Sequence, residues 1–442
     1  MDNNTVFVFD FDGVIVNSIS ALHGVYMEFL SQFGIRGNQE EFNLLNGPKL
    51  SEIVSFFKKK YNLNETNIEL LNIYTGKISS IYENIKLNNG IEEILKLLRN
   101  KNFAIALASS SKRIEIDNIL NKNKLNSYFD FIITGDDVTK SKPSPEMYEI
   151  LKKKFINHNY YVVEDSNNGI AAAMNAGMKT ILYNPTQKES SVEPTYEINS
   201  LKKIEKIITE IDLNCFTVAK SKAISLKLIS HKPTISTQQT EAIEKLWNNE
   251  LKKGQLFNGD IVSYKSHYKS NNTLTIECFT TQYKYFFAQL RNPDLNLKIH
   301  PIGVSGIVID KENNTLLAIR HNVTEYNGFY ELLPAGSIDS SKIKNDDIPF
   351  QEQLITEFEE ETKISKDNIR KIEPYCFTLD KNHEVYDICS KIHINGLINE
   401  LLDPEENEEY VNIREINLSN LYNIIEANSV VPTSVVIFNN LD

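Results

Sequence analysis

Cysteine is scarce, with four residues (Cys215, Cys278, Cys376 and Cys389) in 442, all far apart and none in a C-x-x-C pair. That excludes a disulfide framework and a thiolate zinc site, and it fits a reducing compartment. No apolar run approaches the ~20 residues of a membrane-spanning helix, and the opening Met1-Asp2-Asn3-Asn4 lacks the basic start of a secretory signal. A cytoplasmic protein without a membrane partner is expected. Basic charge is also short, Lys+Arg 47 against Asp+Glu 59 for a net charge of −12. A nucleic-acid partner needs a basic face, so none is expected. Seventeen glycines and thirteen prolines are too few for a low-complexity chain. Hydrophobic residues make up 41%, enough for real cores, and the length favours two or three domains.

Residues 5 to about 185 alternate short apolar runs with helical patterns. Thr5–Phe9, Phe103–Ala108, Phe131–Thr134, Tyr160–Val163 and Thr180–Tyr183 predict buried parallel strands, the rhythm of a doubly wound α/β sheet. The stretch from about 19 to 95 has helical spacing and predicts a helical insertion after the first strand. Residues 186–212 predict a linker, with a helix over Leu201–Ile211 as an alternative end to the first domain. Beyond 213 the pattern turns to strands and hairpins: Asp260–Tyr264, Thr273–Phe279, Tyr283–Gln289, Val304–Asp310 and Thr315–Arg320. Asn313-Asn314 predicts a hairpin turn between the last two.

The first strand ends in Phe9-Asp10-Phe11-Asp12-Gly13. Aspartates two apart point the same way off a strand, and strand ends are where open α/β sheets bind ligands. One carboxylate can attack phosphorus while the other protonates the leaving oxygen. Three further segments fit that chemistry. Ser109-Ser110-Ser111-Lys112 offers hydroxyls and backbone N–H groups to a phosphate, Lys142 offers a cation, and Glu164-Asp165 with Asp10 offer hard oxygen ligands for Mg²⁺ or Mn²⁺. A helix cap, a solvated lysine and an Asx turn would each explain one segment alone. All four in this order at strand ends point to phosphotransfer.

At DFDGVI (Asp10 to Ile15), LASSS (Leu107 to Ser111), KSKPSPEMY (Lys140 to Tyr148) and VVEDSNNGIAAAMNAGM (Val162 to Met178), residues 1–185 resemble the haloacid-dehalogenase (HAD) superfamily, specifically its β-phosphoglucomutase-like phosphatases. The resemblance implies a Rossmann-like fold with a helical cap over about 19–95. It makes Asp10 the nucleophile and Asp12 the general acid, then base. Ser109, Ser110 and Lys142 hold the phosphoryl group, and Asp10, Asp12, Glu164 and Asp165 supply the metal site. Lys49, after Gly47-Pro48, is a cap residue that reaches substrate, or else a surface lysine. Asn17 stands where this branch often has Asp. These motifs do not separate phosphatase from phosphosugar mutase.

Gln351 to Ile364 reads QEQLITEFEEETKI, an amphipathic helix with Leu354, Ile355 and Phe358 on one stripe. Glu357, Glu360 and Glu361, at i, i+3 and i+4, share a face and repel one another unless water or a cation relieves them. Ahead lie a strand and a Gly-containing loop, Tyr330 to Asp339. Strand, hairpin, LPAG loop and glutamate helix together resemble an α+β Nudix hydrolase domain over 301–442, preceded by an extension over 213–300. That extension, with Ala242–Leu251, Leu256-Phe257-Asn258-Gly259 and the approach to the box, is similar to the UDP-sugar-cleaving Nudix branch. The resemblance implies metal-binding and catalytic roles for Glu357, Glu360 and Glu361, and substrate binding by Arg320. This chain departs from the Nudix box at Thr356 (arginine in the family), Lys363 (glycine) and Lys342 (an early glutamate), and its loop is about six residues longer.

The combined expectation is a bifunctional Mg²⁺-dependent hydrolase. A HAD site removes phosphate from a sugar phosphate or similar monoester, and a Nudix site cleaves a nucleotide sugar or another diphosphate-linked substrate, with the two acting in series. The alternative is a HAD phosphatase or phosphosugar mutase with a non-catalytic, nucleotide-binding Nudix-like domain.

Overall fold

The structure is a computed structural model. It describes residues 4–441 apart from 188, 232, 253–257, 324, 341–342, 344–347 and 403–408. Leu256, Phe257 and Lys342 of the sequence reading therefore lie outside the described residues. The chain divides into two compact units, Met1–Glu205 and Lys206–Asp442.

In the first unit β1 (Thr5–Phe9) is followed by α1 (Ile19–Ser31), α2 (Gln39–Leu44), α3 (Leu50–Tyr61) and α4 (Asn67–Tyr82). Then come α5 (Ile91–Asn100), β2 (Ala104–Ala108), α6 (Arg113–Lys122), β3 (Phe131–Ile133) and α7 (Glu146–Lys154). The unit continues with β4 (Asn159–Glu164), α8 (Asn167–Asn175), β5 (Lys179–Tyr183) and β6 (Tyr196–Ile198). The six strands form one parallel sheet in the order β3-β2-β1-β4-β5-β6. β1 is buried along its whole length, as a central strand covered on both faces must be. The chain leaves β1 toward β2 on one side and reaches β4 on the other. That reversal opens a crevice at the carboxyl ends of β1 and β4.

The helical insertion is a four-helix cap, α1 to α4. Helix α4 starts on a Thr66/Glu69 capping box and buries Leu70, Tyr74, Ile78 and Tyr82 at four-residue spacing. Tyr74 meets Phe29 of α1 and Phe57 of α3, with ring centroids 4.9 and 6.0 Å apart. Helix α5, inside the expected 19–95 insertion, instead packs its Ile91, Ile94, Leu95 and Leu98 side toward the sheet at β2. Within 186–212, read from sequence as a linker with a helix over Leu201–Ile211 as the alternative, lie the edge strand β6 and all but the last residue of α9 (Ile204–Leu213).

The second unit continues with β7 (Cys215–Lys220), β8 (Ala223–Leu228), α10 (Thr237–Leu251), β9 (Asp260–Ser270), β10 (Thr273–Gln282) and α11 (Tyr283–Arg291). Next are β11 (Ile302–Ile309), β12 (Asn314–Arg320), β13 (Tyr330–Leu332), β14 (Ala335–Ser337) and α12 (Phe350–Thr362). It ends with β15 (Ile369–Asp380), β16 (Val385–Ile394), α13 (Ile398–Leu401), β17 (Tyr410–Asn417), α14 (Leu418–Ala427) and α15 (Pro432–Asn439). Its strands form a mixed sheet, β14-β11-β16-β15-β7, and two three-stranded sheets, β8-β10-β9 and β13-β12-β17. All four cysteines belong to this unit, buried and unpaired as disulfides.

Two sequence expectations fail here. Tyr283–Gln289 is not a strand but helix α11, because Phe286, Phe287 and Ala288 are buried and Phe287 packs edge-on against Trp247 of α10 at 5.6 Å. Packing overrides the strand preference of its aromatic residues. The turn at Asn313 forms, with Asn313 at φ 60°, but β11 and β12 do not pair as a hairpin. β11 is flanked by β14 and β16 and has no free edge, so β12 joins β13 and β17 instead.

Candidate functional site

β1 delivers Asp10 to the crevice, where its backbone N–H still bonds to the Val163 carbonyl at 2.9 Å. The chain then turns within a few residues. Gly13 takes φ +77°, and a Cβ there would sit 2.2 Å from Asp165 Oδ2, so only glycine fits. Asn88 closes the turn by donating to the carbonyls of Gly13 (2.7 Å) and Val14 (3.0 Å).

β4 ends at Glu164 and is followed by Asp165. Oxygens of Asp10, Glu164 and Asp165 lie within 4.8 Å of one another, the one such acidic, His or Cys cluster among the described residues. Lys142 Nζ enters the same space, donating to Asp10 Oδ1 (2.7 Å), Glu164 Oε1 (2.5 Å) and the Ala108 carbonyl (2.9 Å). Tyr148 and Ser166 each donate to Glu164 at 3.2 Å. Burial, then the Glu164 charge, push the Asp10 carboxyl up to about 8 even beside Lys142. Burial, with Asp10 and Glu164, raises Asp165 well above the usual carboxylate range. Burial alone would lower the Lys142 ammonium, but Asp10 and Glu164 reverse this and hold it charged. Lys142 thus meets two of the three acids, and burial with mutual repulsion resists ionising all three together. An oxygen-only donor set of that kind fits a divalent cation such as Mg²⁺, whose charge would displace the protons.

Asp12 is not a member of that cluster. Its carboxylate accepts from the Tyr82 hydroxyl, at 2.8 Å to Oδ1 and 2.9 Å to Oδ2, and from Ser111 Oγ at 2.6 Å to Oδ2. Burial and then the Asp12 charge lift the Tyr82 phenol well above its ordinary value, which keeps it a donor. Ser109 is buried after β2, and its Oγ accepts from the Ser111 N–H at 3.1 Å. Ser110 donates to the Gly47 carbonyl of the cap, and Lys49, at the start of α3, reaches the Val138 carbonyl. A cavity of about 420 Å³ unites Asp10, Asp12, Ser109, Ser110, Lys142 and Lys49. Its cap side is apolar, with Phe42, Ile53, Tyr74 and Ile78. Six expected residues therefore share one chamber, with Glu164 at its floor and Asp165 behind Gly13.

Sequence reasoning missed Tyr82 as a site residue. It completes the Leu70–Tyr74–Ile78–Tyr82 core stripe of α4, so its hydroxyl carries no separate signal. Ser111 was visible only as part of a serine run.

In the second unit α12 carries Glu357, Glu360 and Glu361 as expected, but to different depths: Glu361 is buried, Glu357 half-buried and Glu360 exposed. The three do not form a metal-sized cluster among the described residues. The glycine loop is itself the short strand β14. A Cβ on Gly336 would lie 2.2 Å from the Glu357 carboxyl, and the Ala335 N–H donates to Glu361 Oε2 at 3.1 Å. Burial, then Glu331 and Glu357, raise the Glu361 carboxyl well above its ordinary value. Arg320, expected to bind substrate, pairs with Glu331 at 2.6 Å. Thr356 turns inward on its own helix, donating to the Glu352 carbonyl. Lys363 caps the helix at φ 58°, a left-handed conformation that favours glycine.

Residues 7–183 match the haloacid dehalogenase-like hydrolase family. A phosphorylated carbohydrates phosphatase of Thermotoga maritima is 26% identical over 189 residues, 39% of this chain and 82% of that protein. The 6-phosphogluconate phosphatase of Escherichia coli is 25% identical over 179 residues, 40% of this chain and 80% of that protein. A crystal structure of β-phosphoglucomutase from Clostridium difficile aligns over 47% of this chain and 98% of its own, at 25% identity and TM-score 0.41. The N-terminal domain is a HAD-superfamily hydrolase domain. The family match leaves the second unit outside its span. No helix among the described residues is long and apolar enough to cross a membrane.

Proposed function

We propose that the N-terminal domain hydrolyses phosphomonoesters, with sugar phosphates as the substrate class. The observation that carries this reading is the meeting of Asp10, Lys142, Glu164 and Asp165 at the ends of β1 and β4, with Asp12 in the same cavity. Asp10 attacks phosphorus and Asp12 protonates the leaving oxygen; water then attacks the aspartyl-phosphate as Asp12 takes its proton. Lys142 neutralises charge on the phosphoryl oxygens, and the apolar cap wall excludes bulk water. Mg²⁺ held by Asp10, Glu164 and Asp165 would add electrostatic stabilisation of the transferring group. The carbohydrate-phosphate and 6-phosphogluconate phosphatases among the relatives support sugar phosphates over other monoesters. Asp10→Asn tests the reading. It should abolish orthophosphate release from a panel of sugar phosphates in Mg²⁺, and turnover near wild type would refute it.

A second reading concerns the second unit. The fit of Gly336 and Ala335 against Glu357 and Glu361 supports a Nudix-type site cleaving a nucleoside-diphosphate-linked substrate such as a nucleotide sugar. The sugar 1-phosphate so formed would be a monoester for the first domain. Incubation with UDP-sugars and Mg²⁺ or Mn²⁺ tests it. Release of nucleoside monophosphate supports catalysis, whereas binding without product favours a nucleotide-binding module.

A further inference from the structure

Two hydroxyls from different parts of the first unit converge on the Asp12 carboxylate. Tyr82 ends α4, the last helix of the cap, and is only 7% exposed. Ser111 follows β2 in the sheet domain. Their oxygens are 3.4 Å apart, close enough to interact, and both donate to Asp12. The Tyr82 ring lies 6.1 Å from that of Phe11, tilted by 55°, so packing holds the phenol in place. A lone aspartate at a strand end samples several staggered rotamers, and two donors on one carboxylate select one of them.

We infer that Tyr82 and Ser111 are positioning residues for Asp12, holding its carboxylate in the one orientation that serves proton transfer in both half-reactions. The inference rests on the phosphomonoesterase reading above. In the first half-reaction the Asp10–phosphorus bond forms as the bond to the leaving oxygen breaks, and Asp12 supplies that oxygen with a proton. In the second, water attacks phosphorus, Asp12 takes the water proton, and Asp10 departs as a carboxylate. Tyr82 donates from the cap and Ser111 from the sheet domain, so the acid–base group is correctly held only when the cap sits as it does here.

Tyr82→Phe removes the hydroxyl and keeps the packed ring; Ser111→Ala removes the other donor. A well-placed acid–base group contributes ~10²–10⁴-fold, and each variant is expected to lose about 10–100-fold in kcat on an alkyl phosphate, with KM unchanged. p-Nitrophenyl phosphate separates positioning from general damage, because p-nitrophenolate leaves without a proton. Its pre-steady-state burst should keep the wild-type rate, while the steady state, set by water attack on the aspartyl-phosphate, falls about 10–100-fold. Wild-type kcat in both variants would overturn the inference and leave the Asp10 reading standing. Equal slowing of burst and steady state would also overturn it, as the mark of a structural role. A wild-type protein that neither hydrolyses monoesters nor forms a trappable aspartyl-phosphate would overturn both inference and reading.

Discussion

Lys142 and Asp10 stand 132 positions apart in sequence, yet Nζ and Oδ1 meet at 2.7 Å in a site where both are buried. A second carboxylate, Glu164, shares the same ammonium at 2.5 Å. Lys142 therefore offsets the charge of its own neighbouring acids, and on the phosphomonoesterase reading proposed above it would also neutralise a phosphoryl group.

Lys142→Met separates those roles from a merely local charge. Removing one partner of a buried ion pair typically costs about 3–5 kcal/mol, since the remaining charge is left without compensation. Monoester hydrolysis should vanish, and the urea midpoint of the first domain should fall by a corresponding amount. A variant that is inactive but as stable as wild type would mean that Asp10 and Glu164 do not depend on Lys142 in the free protein.

Glu361→Gln bears on the second unit alone. On the Nudix-type reading proposed for that unit, cleavage of a nucleotide sugar should drop by orders of magnitude, and orthophosphate release from a sugar phosphate should be unchanged. Product analysis by mass, with both substrates supplied to the same preparation, reads the two reactions side by side. Loss of both would indicate global damage and remove support for a separate second site.

Asp387 gives the second unit a pH dependence. Burial pushes its carboxyl up to about 7, even though Ser305 donates to it at 3.0 Å. The folded form thus keeps a proton that the unfolded chain releases near the ordinary value of 3.8. This contribution to stability is fully present below that value and is lost as pH rises through about 7. Asp387→Asn should match the wild type at pH 4 and exceed it at pH 8, as followed by denaturant unfolding of the full chain. A wild-type profile flat between those limits would rule out the protonated carboxyl.

Lys363 carries a side chain at φ 58°, closing α12 with an N–H to the Glu359 carbonyl at 3.1 Å. A non-glycine residue there costs about 1–2 kcal/mol of backbone strain, partly offset by glycine's greater freedom when unfolded. Lys363→Gly should stabilise the second unit by up to about 1 kcal/mol, visible as a rise in Tm of a few degrees. A fall in Tm would show that the lysine side chain supplies more than its backbone loses.

The legible parts of this chain are those whose signal is local. β1 and its DFDG turn lie within nine consecutive residues, and buried parallel strands read as continuous apolar runs, so Asp10, Asp12, Ser109, Lys142 and Asp165 could be singled out as neighbours of one crevice without coordinates. Tyr82 could not, because its partner is 70 positions away and its spacing is that of an ordinary core residue. The divergence of β11 and β12 was equally hidden. A turn at Asn313 specifies a reversal but not which neighbours each strand then finds. Helix α11 failed for a related reason: its aromatic residues suit either a strand or a helix until Trp247 provides a surface to pack on.

The four buried thiols have a use of their own. Cys215, Cys278, Cys376 and Cys389 all lie beyond residue 205, and none is exposed in the folded chain. A maleimide or aromatic disulfide reagent added to the native protein therefore finds nothing to modify until the second unit opens, and the first unit stays silent throughout. Labelling rate becomes a stopwatch for one half of the molecule, readable in the intact chain with no engineered probe and no cleavage between the halves.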